Sequence, residues 1–135
     1  MPVREIMTTR LITVTADTTV EEMYALFKNY PIHHLLVVEG EQLCGVVSDR
    51  DVLRNRSPFA GTRVASDKDH FTLTRKARKI MTSEPVTVDQ NTQIRDAAKL
   101  FLYHGVSVLP VVDAAQDGIL VGILSWKDVL RHIIG

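Results

Sequence analysis

The chain repeats itself, and that limits its folds more than any other feature. Ile6-Met7-Thr8 returns as Ile80-Met81-Thr82, Thr13-Val14 as Thr87-Val88, and Leu26-Phe27 as Leu100-Phe101. Leu35, Val37 and Val38 return as Leu109, Val111 and Val112, so all these pairs share an offset of 74 residues, that from Ile6 to Ile80. The offset then becomes 77, from Leu43 to Leu120. Gly45, Ser48, Asp51, Val52 and Leu53 return as Gly122, Ser125, Asp128, Val129 and Leu130. The extra residues fall in the turn from Asp113 to Gly118, where an insertion is tolerated. Such order, broken by a single gap placed in a turn, is the mark of a duplicated supersecondary unit.

Each copy reads as β-α-β-β-α. A short β-rich stretch, Leu11–Val14 or Val86–Val88, precedes a helix start that Asp17 or Thr18, or in the second copy Asn91 or Thr92, is placed to cap. Val20, Met23, Leu26 and Phe27 fall on one stripe of a helix over Val20–Phe27, equivalent to Ile94–Tyr103. The runs Leu35–Val38 and Val106–Val112 are too apolar for a half-exposed strand, so they need cover on both faces. A turn leads to a second strand, Leu43–Val47 or Leu120–Leu124, and a closing helix follows, Asp49–Asn55 or Trp126–Ile134. A unit of this size, about 50–60 residues, buries only about 60% of its surface and is marginal alone. The expected architecture is therefore α+β: two pseudo-symmetric repeats, residues 1–55 and 80–135, packed through their sheets, with a linker over 56–79. That linker has seven basic residues against Asp67 and Asp69, and no firm structure is assigned to it.

Composition removes several classes. Charge balances at 16 basic and 16 acidic residues, so a general nucleic-acid binder, which carries a basic excess, is disfavoured. One cysteine, Cys44, allows no intrachain disulfide and no cysteine-based zinc site, and its strand setting suits a small buried hydrophobe. No apolar run approaches the ~20 residues that cross a bilayer, and the first residues lack a signal-peptide core. The expectation is a soluble cytoplasmic protein with no membrane partner. No catalytic set stands out: Ser48 and Ser125 have no base fixed by spacing, and no phosphate-cradling Gly-rich loop is present. The sequence points to no enzyme. His33 and His34 are adjacent on a strand and point to opposite faces, so they cannot readily chelate one ion, and no metal site is expected.

The closing pattern is Gly-hydrophobic-hydrophobic-Ser-x-x-Asp. It stands as Gly45-Val46-Val47-Ser48-Asp49-Arg50-Asp51 and again as Gly122-Ile123-Leu124-Ser125-Trp126-Lys127-Asp128. A strand running into a helix start presents free N–H groups and a serine hydroxyl to an anion. An aspartate one turn on can accept two hydroxyls of a vicinal diol. Together they suit a nucleotide; the same Ser-x-x-Asp is also an ordinary helix-capping box.

With its flanking segments, the chain resembles a tandem cystathionine β-synthase (CBS) domain pair, or Bateman module, over Ile6–Leu53 and Ile80–Leu130. In length and linker it looks most like small stand-alone bacterial pairs of the acetoin-utilisation type. The resemblance implies two clefts between the repeats that bind adenine nucleotides such as AMP, ADP, ATP or S-adenosylmethionine, with or without magnesium. It implies a regulatory role toward an unidentified partner protein, and a homodimer packed through helices. It maps the ribose-binding aspartate onto Asp51 and Asp128, the hydroxyl onto Ser48 and Ser125, and the opening threonine onto Thr8 and Thr82. The family's Ile-His-Arg strand pattern maps onto Ile32-His33-His34, with His34 in place of arginine, and onto Val106-Ser107-Val108 in the second copy. One cleft is then expected to combine Asp128, Ser125 and Thr82 with His33 and His34. The other combines Asp51, Ser48 and Thr8 with Ser107. Ile12, Val86, Val46 and Ile123 are candidates to sandwich an adenine. With histidines in place of arginine, phosphate binding is expected to strengthen below about pH 6.5. The competing reading is a dimerisation or docking module that has no physiological nucleotide.

Overall fold

Leu35, Leu36 and Val37 are consecutive and all essentially inaccessible, as are Leu109, Pro110 and Val111. Side chains alternate between faces along a strand, so such runs are covered on both sides. They lie at the centre of β2 (His34–Glu39) and β6 (Val108–Asp113) in the computed structural model, which describes residues 1–135. Around each strand the same motif is built. β1 (Thr13–Val14) lies parallel to β2, and β3 (Gln42–Ser48) antiparallel to it. β5 (Val88–Asp89) and β7 (Ile119–Ser125) flank β6 in the same way. Both hairpins carry a register shift at the equivalent point, Val37/Val38 and Val111/Val112. The helices are α1 (Val20–Asn29) and α2 (Asp49–Asn55) in one copy, α5 (Ile94–His104) and α6 (Trp126–Ile134) in the other. This is the expected mixed α+β pattern, and the closing helices have the expected bounds.

The linker is more ordered than the sequence indicates. It holds α3 (Asp67–Phe71), a 3-10 turn over Thr72–Thr74 and α4 (Ala77–Ile80), followed by β4 (Thr82–Ser83). The caps also differ from expectation. Thr19, rather than Asp17 or Thr18, caps α1: its hydroxyl accepts from the Glu22 N–H, and the Glu22 carboxylate returns to the Thr19 N–H. α5 starts at Gln93 with no side-chain cap, and the Ile94 N–H instead donates to the Met1 carbonyl. Asn91 is engaged by the Arg4 guanidinium and by the Asp89 carboxylate.

Sequence repeats and packed units have different boundaries. One unit is Ile12–Glu84; the other joins Met1–Leu11 to Pro85–Gly135. Each opening segment thus packs on the other copy's strands. Val3 N–H donates to Thr92 O, Arg4 N–H to Gln90 O, and Thr8 exchanges two backbone bonds with Ile123. The equivalent bonds run from Ala77 to Thr18 and from Arg78 to Ala16, and β4 pairs with β3 at Val46 and Gly45. Val3 sits in a core with Val88, Ala97, Phe101, Leu109 and Leu124. Ala77 sits in one with Val20, Met23, Leu35, Val47 and Val52. Cys44 packs half-buried against the second of these cores.

The exchange explains the glycine of the closing pattern. A Cβ on Gly45 would lie 2.6 Å from the Met81 Sδ and 2.8 Å from the Thr82 carbonyl oxygen. On Gly122 it would lie 2.6 Å from the Met7 Sδ and 3.0 Å from the Thr8 oxygen. The Ile-Met-Thr opening and the Gly of the Ser-x-x-Asp motif are therefore one packing feature, written in two places along the chain.

Candidate functional site

β3 and β7 each end on a serine that caps the following helix. The Ser48 Oγ accepts from the Asp51 N–H at 3.1 Å, and the Asp51 Oδ2 accepts from the Ser48 N–H at 2.8 Å. Ser125 and Asp128 make the same pair at 3.2 and 2.8 Å. The capping chemistry is thus real at both starts, and it engages one serine lone pair and one carboxylate oxygen. The remaining oxygen of each aspartate faces an arginine one turn on. Asp51 Oδ1 lies 3.9 Å from Arg54 Nη1, and Asp128 Oδ1 lies 3.4 Å from Arg131 Nη1. Both carboxylates are largely enclosed, 24% and 14% exposed, while both arginines extend into solvent. A half-used, half-enclosed carboxylate beside a serine O–H is a fit acceptor for a diol.

The structure regroups the residues that were expected together. Thr82 pairs with Val46 on β3, in the unit that holds Ser48 and Asp51. Thr8 bridges to Ile123 on β7, in the unit that holds Ser125 and Asp128. The opening threonines are therefore exchanged relative to sequence order: Thr8 goes with Ser125 and Asp128, Thr82 with Ser48 and Asp51. His33 and His34 belong to the Asp51 unit, and Ser107 to the Asp128 unit. Val46 and Ile123 are half-buried two positions before each serine.

The two helix starts share a scaffold and differ in chemistry. The His33 carbonyl accepts from the Asp49 N–H at 3.0 Å, as the Ser107 carbonyl accepts from the Trp126 N–H at 3.2 Å. In the first copy, however, the His33 Nδ1 also meets the Asp49 Oδ2 at 2.9 Å, and His34 lies opposite Ser48 in the sheet register. In the second copy Ser107 and Trp126 form no such pair. Burial would raise the Asp49 carboxyl, but the His33 hydrogen bond, the Arg50 N–H and the nearby imidazole charges together hold it below its ordinary value. His34 is half-buried. Burial lowers its pKa, with His33 adding to the effect; Asp49 and Asp51 oppose it without cancelling it. The first start is thus surrounded by titratable groups, the second by Trp126 and Lys127.

Sequence reasoning missed the His33–Asp49 pair, because strand register decides it. It also missed a third Ser-x-x-Asp. Ser66 caps α3 with Asp69 in the same reciprocal arrangement, the Asp69 N–H reaching the Ser66 Oγ at 3.2 Å and the Ser66 N–H reaching Asp69 Oδ2 at 2.8 Å. That motif is legible at Ser66-Asp67-Lys68-Asp69, but no strand leads into it and Arg63, not glycine, stands three residues before the serine.

Known proteins with these features are found readily. The sequence profile of the CBS domain matches residues 3–57 and 77–135. A CBS domain-containing protein of Dictyostelium discoideum is 32% identical over 134 residues, covering 98% of this chain and 90% of its own length. The crystal structure of CBSX2 in complex with AMP superposes with a TM-score of 0.80 at 32% identity, over 98% of this chain and 96% of that one. The fold of AcuB from Vibrio cholerae is also similar, with a TM-score of 0.79 at 22% identity, over 99% of this chain and 90% of that one. No helix is long and apolar enough to cross a membrane.

Proposed function

The chain belongs to the CBS domain family as a tandem pair, and on that premise we propose that it is a regulatory module that binds an adenosine-containing nucleotide and modulates a partner protein. One observation carries the reading: a strand-to-helix start with Ser, a half-used Asp carboxylate and a companion Thr occurs twice, as Thr82–Ser48–Asp51 and Thr8–Ser125–Asp128. In this reading each aspartate's outer oxygen, Oδ1, receives the ribose diol as the exposed arginine beside it turns aside, and the serine hydroxyl contacts ribose or phosphate. His34 stands where the family's strand pattern carries arginine; burial holds its pKa down, so it adds positive charge only at acid pH. CBSX2, whose structure in complex with AMP matches this fold over nearly the whole of both chains, supports AMP as the first ligand to test. ADP, ATP and S-adenosylmethionine follow, each with and without magnesium. Regulation is then linkage: the nucleotide shifts the module between states that it binds unequally.

The experiment is a thermal-shift screen on the purified chain and three variants, Asp51→Ala, Asp128→Ala and Ser66→Ala. A ligand at a hundred times its dissociation constant adds about 2.7 kcal/mol, several degrees of Tm for a chain of this size. All three variants lose part of a capping box, worth about 1 kcal/mol. Only the two aspartate variants should also lose the part of the ligand-induced shift that their own site supplies, and the double variant all of it. If Ser66→Ala abolishes the shift equally, the effect is loss of helix stability and the site assignment fails.

A second reading, a dimerisation or docking module, is favoured by α6. Trp126, Leu130, Ile133 and Ile134 are exposed along it at helical spacing, 44 to 82% accessible. We place the homodimer contact on this face. A module of this second kind would dimerise through α6 and show no shift with any nucleotide.

A further inference from the structure

The two Ser–Asp helix starts are copies of one scaffold, so their ligands can differ only through the positions where the copies differ. Counted from the serine, Arg50 matches Lys127, Asp51 matches Asp128 and Arg54 matches Arg131, each pair alike in charge. On the strand beside them, His33 and His34 match Ser107 and Val108. The remaining difference is the residue directly after each serine. It is a carboxylate, Asp49, in the first copy and an indole, Trp126, in the second.

Backbone geometry at that residue is shared. Both serines are extended N-caps, and the next N–H donates to the carbonyl of His33 in one copy and of Ser107 in the other. The two side chains therefore leave equivalent points of the scaffold. The Asp49 carboxylate is fixed in place: Oδ2 meets the His33 Nδ1 at 2.9 Å, and Oδ1 accepts from the Arg50 N–H at 2.8 Å. A neutral imidazole donating from Nδ1 leaves the full negative charge on Asp49. Asp49 and Asp51 both act electrostatically on His34, and His34 lies opposite Ser48 in the sheet, so both carboxylates border the ground around the serine. With neutral imidazoles, Arg50 and Arg54 balance Asp49 and Asp51 at the first start, for a net charge of zero. Lys127 and Arg131 stand against Asp128 alone at the second, for a net charge of +1. There Trp126 is partly exposed, and the Lys127 Nζ lies 5.9 Å from its ring centroid.

We infer that Asp49 and Trp126 set which charge of adenosine ligand each start accepts: the second start takes the phosphorylated nucleotide, and the first takes an adenosine derivative without phosphate, neutral or cationic. This assignment rests on the nucleotide reading of the two starts and gives each of them a ligand class. Its ground is Coulombic. A carboxylate about 7 Å from a phosphate dianion weakens binding about fivefold once salt screening is counted. The same carboxylate favours a sulfonium such as that of S-adenosylmethionine, and neutral adenosine feels little of it.

The test is isothermal titration at about pH 8, where imidazole is neutral, with AMP, adenosine and S-adenosylmethionine as probes. Asp51→Ala leaves the second start intact and Asp128→Ala the first. The ratio of AMP affinity to adenosine affinity should be about fivefold higher in Asp51→Ala than in Asp128→Ala, and S-adenosylmethionine should bind tighter to Asp128→Ala. Adding Asp49→Asn to Asp128→Ala removes the charge and keeps the shape, so it should raise that ratio about fivefold. In the Asp51→Ala chain, Trp126→Asp and Trp126→Asn both lose the indole, so the lower ratio expected for Trp126→Asp reads the charge alone. If an alanine chain melts below the assay temperature, Asp51→Asn and Asp128→Asn, which keep a capping oxygen, replace it. Equal ratios in the two single-site chains, or a ratio that Asp49→Asn leaves unchanged, overturn the assignment while the nucleotide reading stands. No binding of any probe to either chain overturns both.

Discussion

Replacing Gly45 or Gly122 by alanine should destabilise the chain, against the usual sign. Glycine inside a strand is ordinarily worse than alanine by about 0.5–1 kcal/mol, so a strand glycine without close neighbours gains from the change. Here the added Cβ meets the crossing segment. At Gly45 it lies 2.6 Å from the Met81 Sδ, 2.9 Å from its Cγ and 2.8 Å from the Thr82 carbonyl oxygen. At Gly122 the distances to Met7 Sδ, Met7 Cγ and Thr8 O are 2.6, 3.0 and 3.0 Å. The thioether is the end of a flexible side chain and can turn away. The carbonyl cannot: Thr8 is held to Ile123 by two backbone bonds of 2.9 and 3.0 Å, and Thr82 by its pairing with Val46. Overpacking of this kind costs about 1–3 kcal/mol. The shorter backbone contact puts Gly45→Ala near the middle of that range, about 2 kcal/mol, and Gly122→Ala lower, about 1 kcal/mol. At about 3–5 °C of Tm per kcal/mol for a chain of this size, the losses are about 6–10 °C and about 3–5 °C. Thermal melts followed by circular dichroism measure this. Hydrogen exchange should show the Thr8 and Ile123 amides losing protection in Gly122→Ala. Adding Met7→Ala should couple favourably with Gly122→Ala, since that clash is mostly the thioether. Adding Met81→Ala should help Gly45→Ala less. Either alanine variant melting at or above the parent temperature would refute the argument, as would strict additivity in both double variants.

Two further perturbations test the first-copy site and the loop between α2 and α4, where the Arg56 guanidinium lies on the Tyr24 ring and donates to the Ala60 carbonyl. His34 is held below its ordinary pKa of 6.5, chiefly by burial, so the unfolded chain binds more protons than the folded one just below that pH. Stability should therefore fall as pH drops through roughly 6.5 toward the folded-state value, and His34→Gln should flatten Tm against pH in that window. An unchanged slope would remove His34 as its source. The same lowering moves any His34-dependent gain in nucleotide affinity to more acid pH than an exposed imidazole would give. Tyr24→Leu removes the ring beneath Arg56 and Lys28. A cation–π contact of this kind is worth about 0.5–1 kcal/mol, so trypsin cleavage at Arg63 and Lys68 should quicken about threefold with the rest of the fold intact. An unaltered rate would show that Arg56 does not hold the loop.

The duplicated elements were legible because hydrophobic period and turn chemistry are local. β2 and β6 lie within the apolar runs and their flanks, and α2 and α6 begin at the residue after each serine. The caps of α1 and α5 were not, because local chemistry left several candidates equal. Asp17, Thr18 and Thr19 can each cap a helix; Thr19 does so because Val20 N–H is already held by the Arg75 carbonyl, fifty-five residues on. Exchange of the opening segments was invisible for a related reason. Internal similarity says which segments are alike, and nothing in it says which copy each packs on. Val3 and Ala77 make equivalent backbone bonds and fill equivalent core positions without sharing a side chain. That exchange moved Thr8 and Thr82 to the opposite Ser–Asp pairs. Ser66-x-x-Asp69 completes the argument. Its hydrogen bonds match those of Ser48-x-x-Asp51 and Ser125-x-x-Asp128, so the capping box by itself carries no ligand chemistry. What sets the other two apart is the strand glycine three residues before each serine, and the glycine is there because a threonine backbone from a sequence-distant segment passes against it.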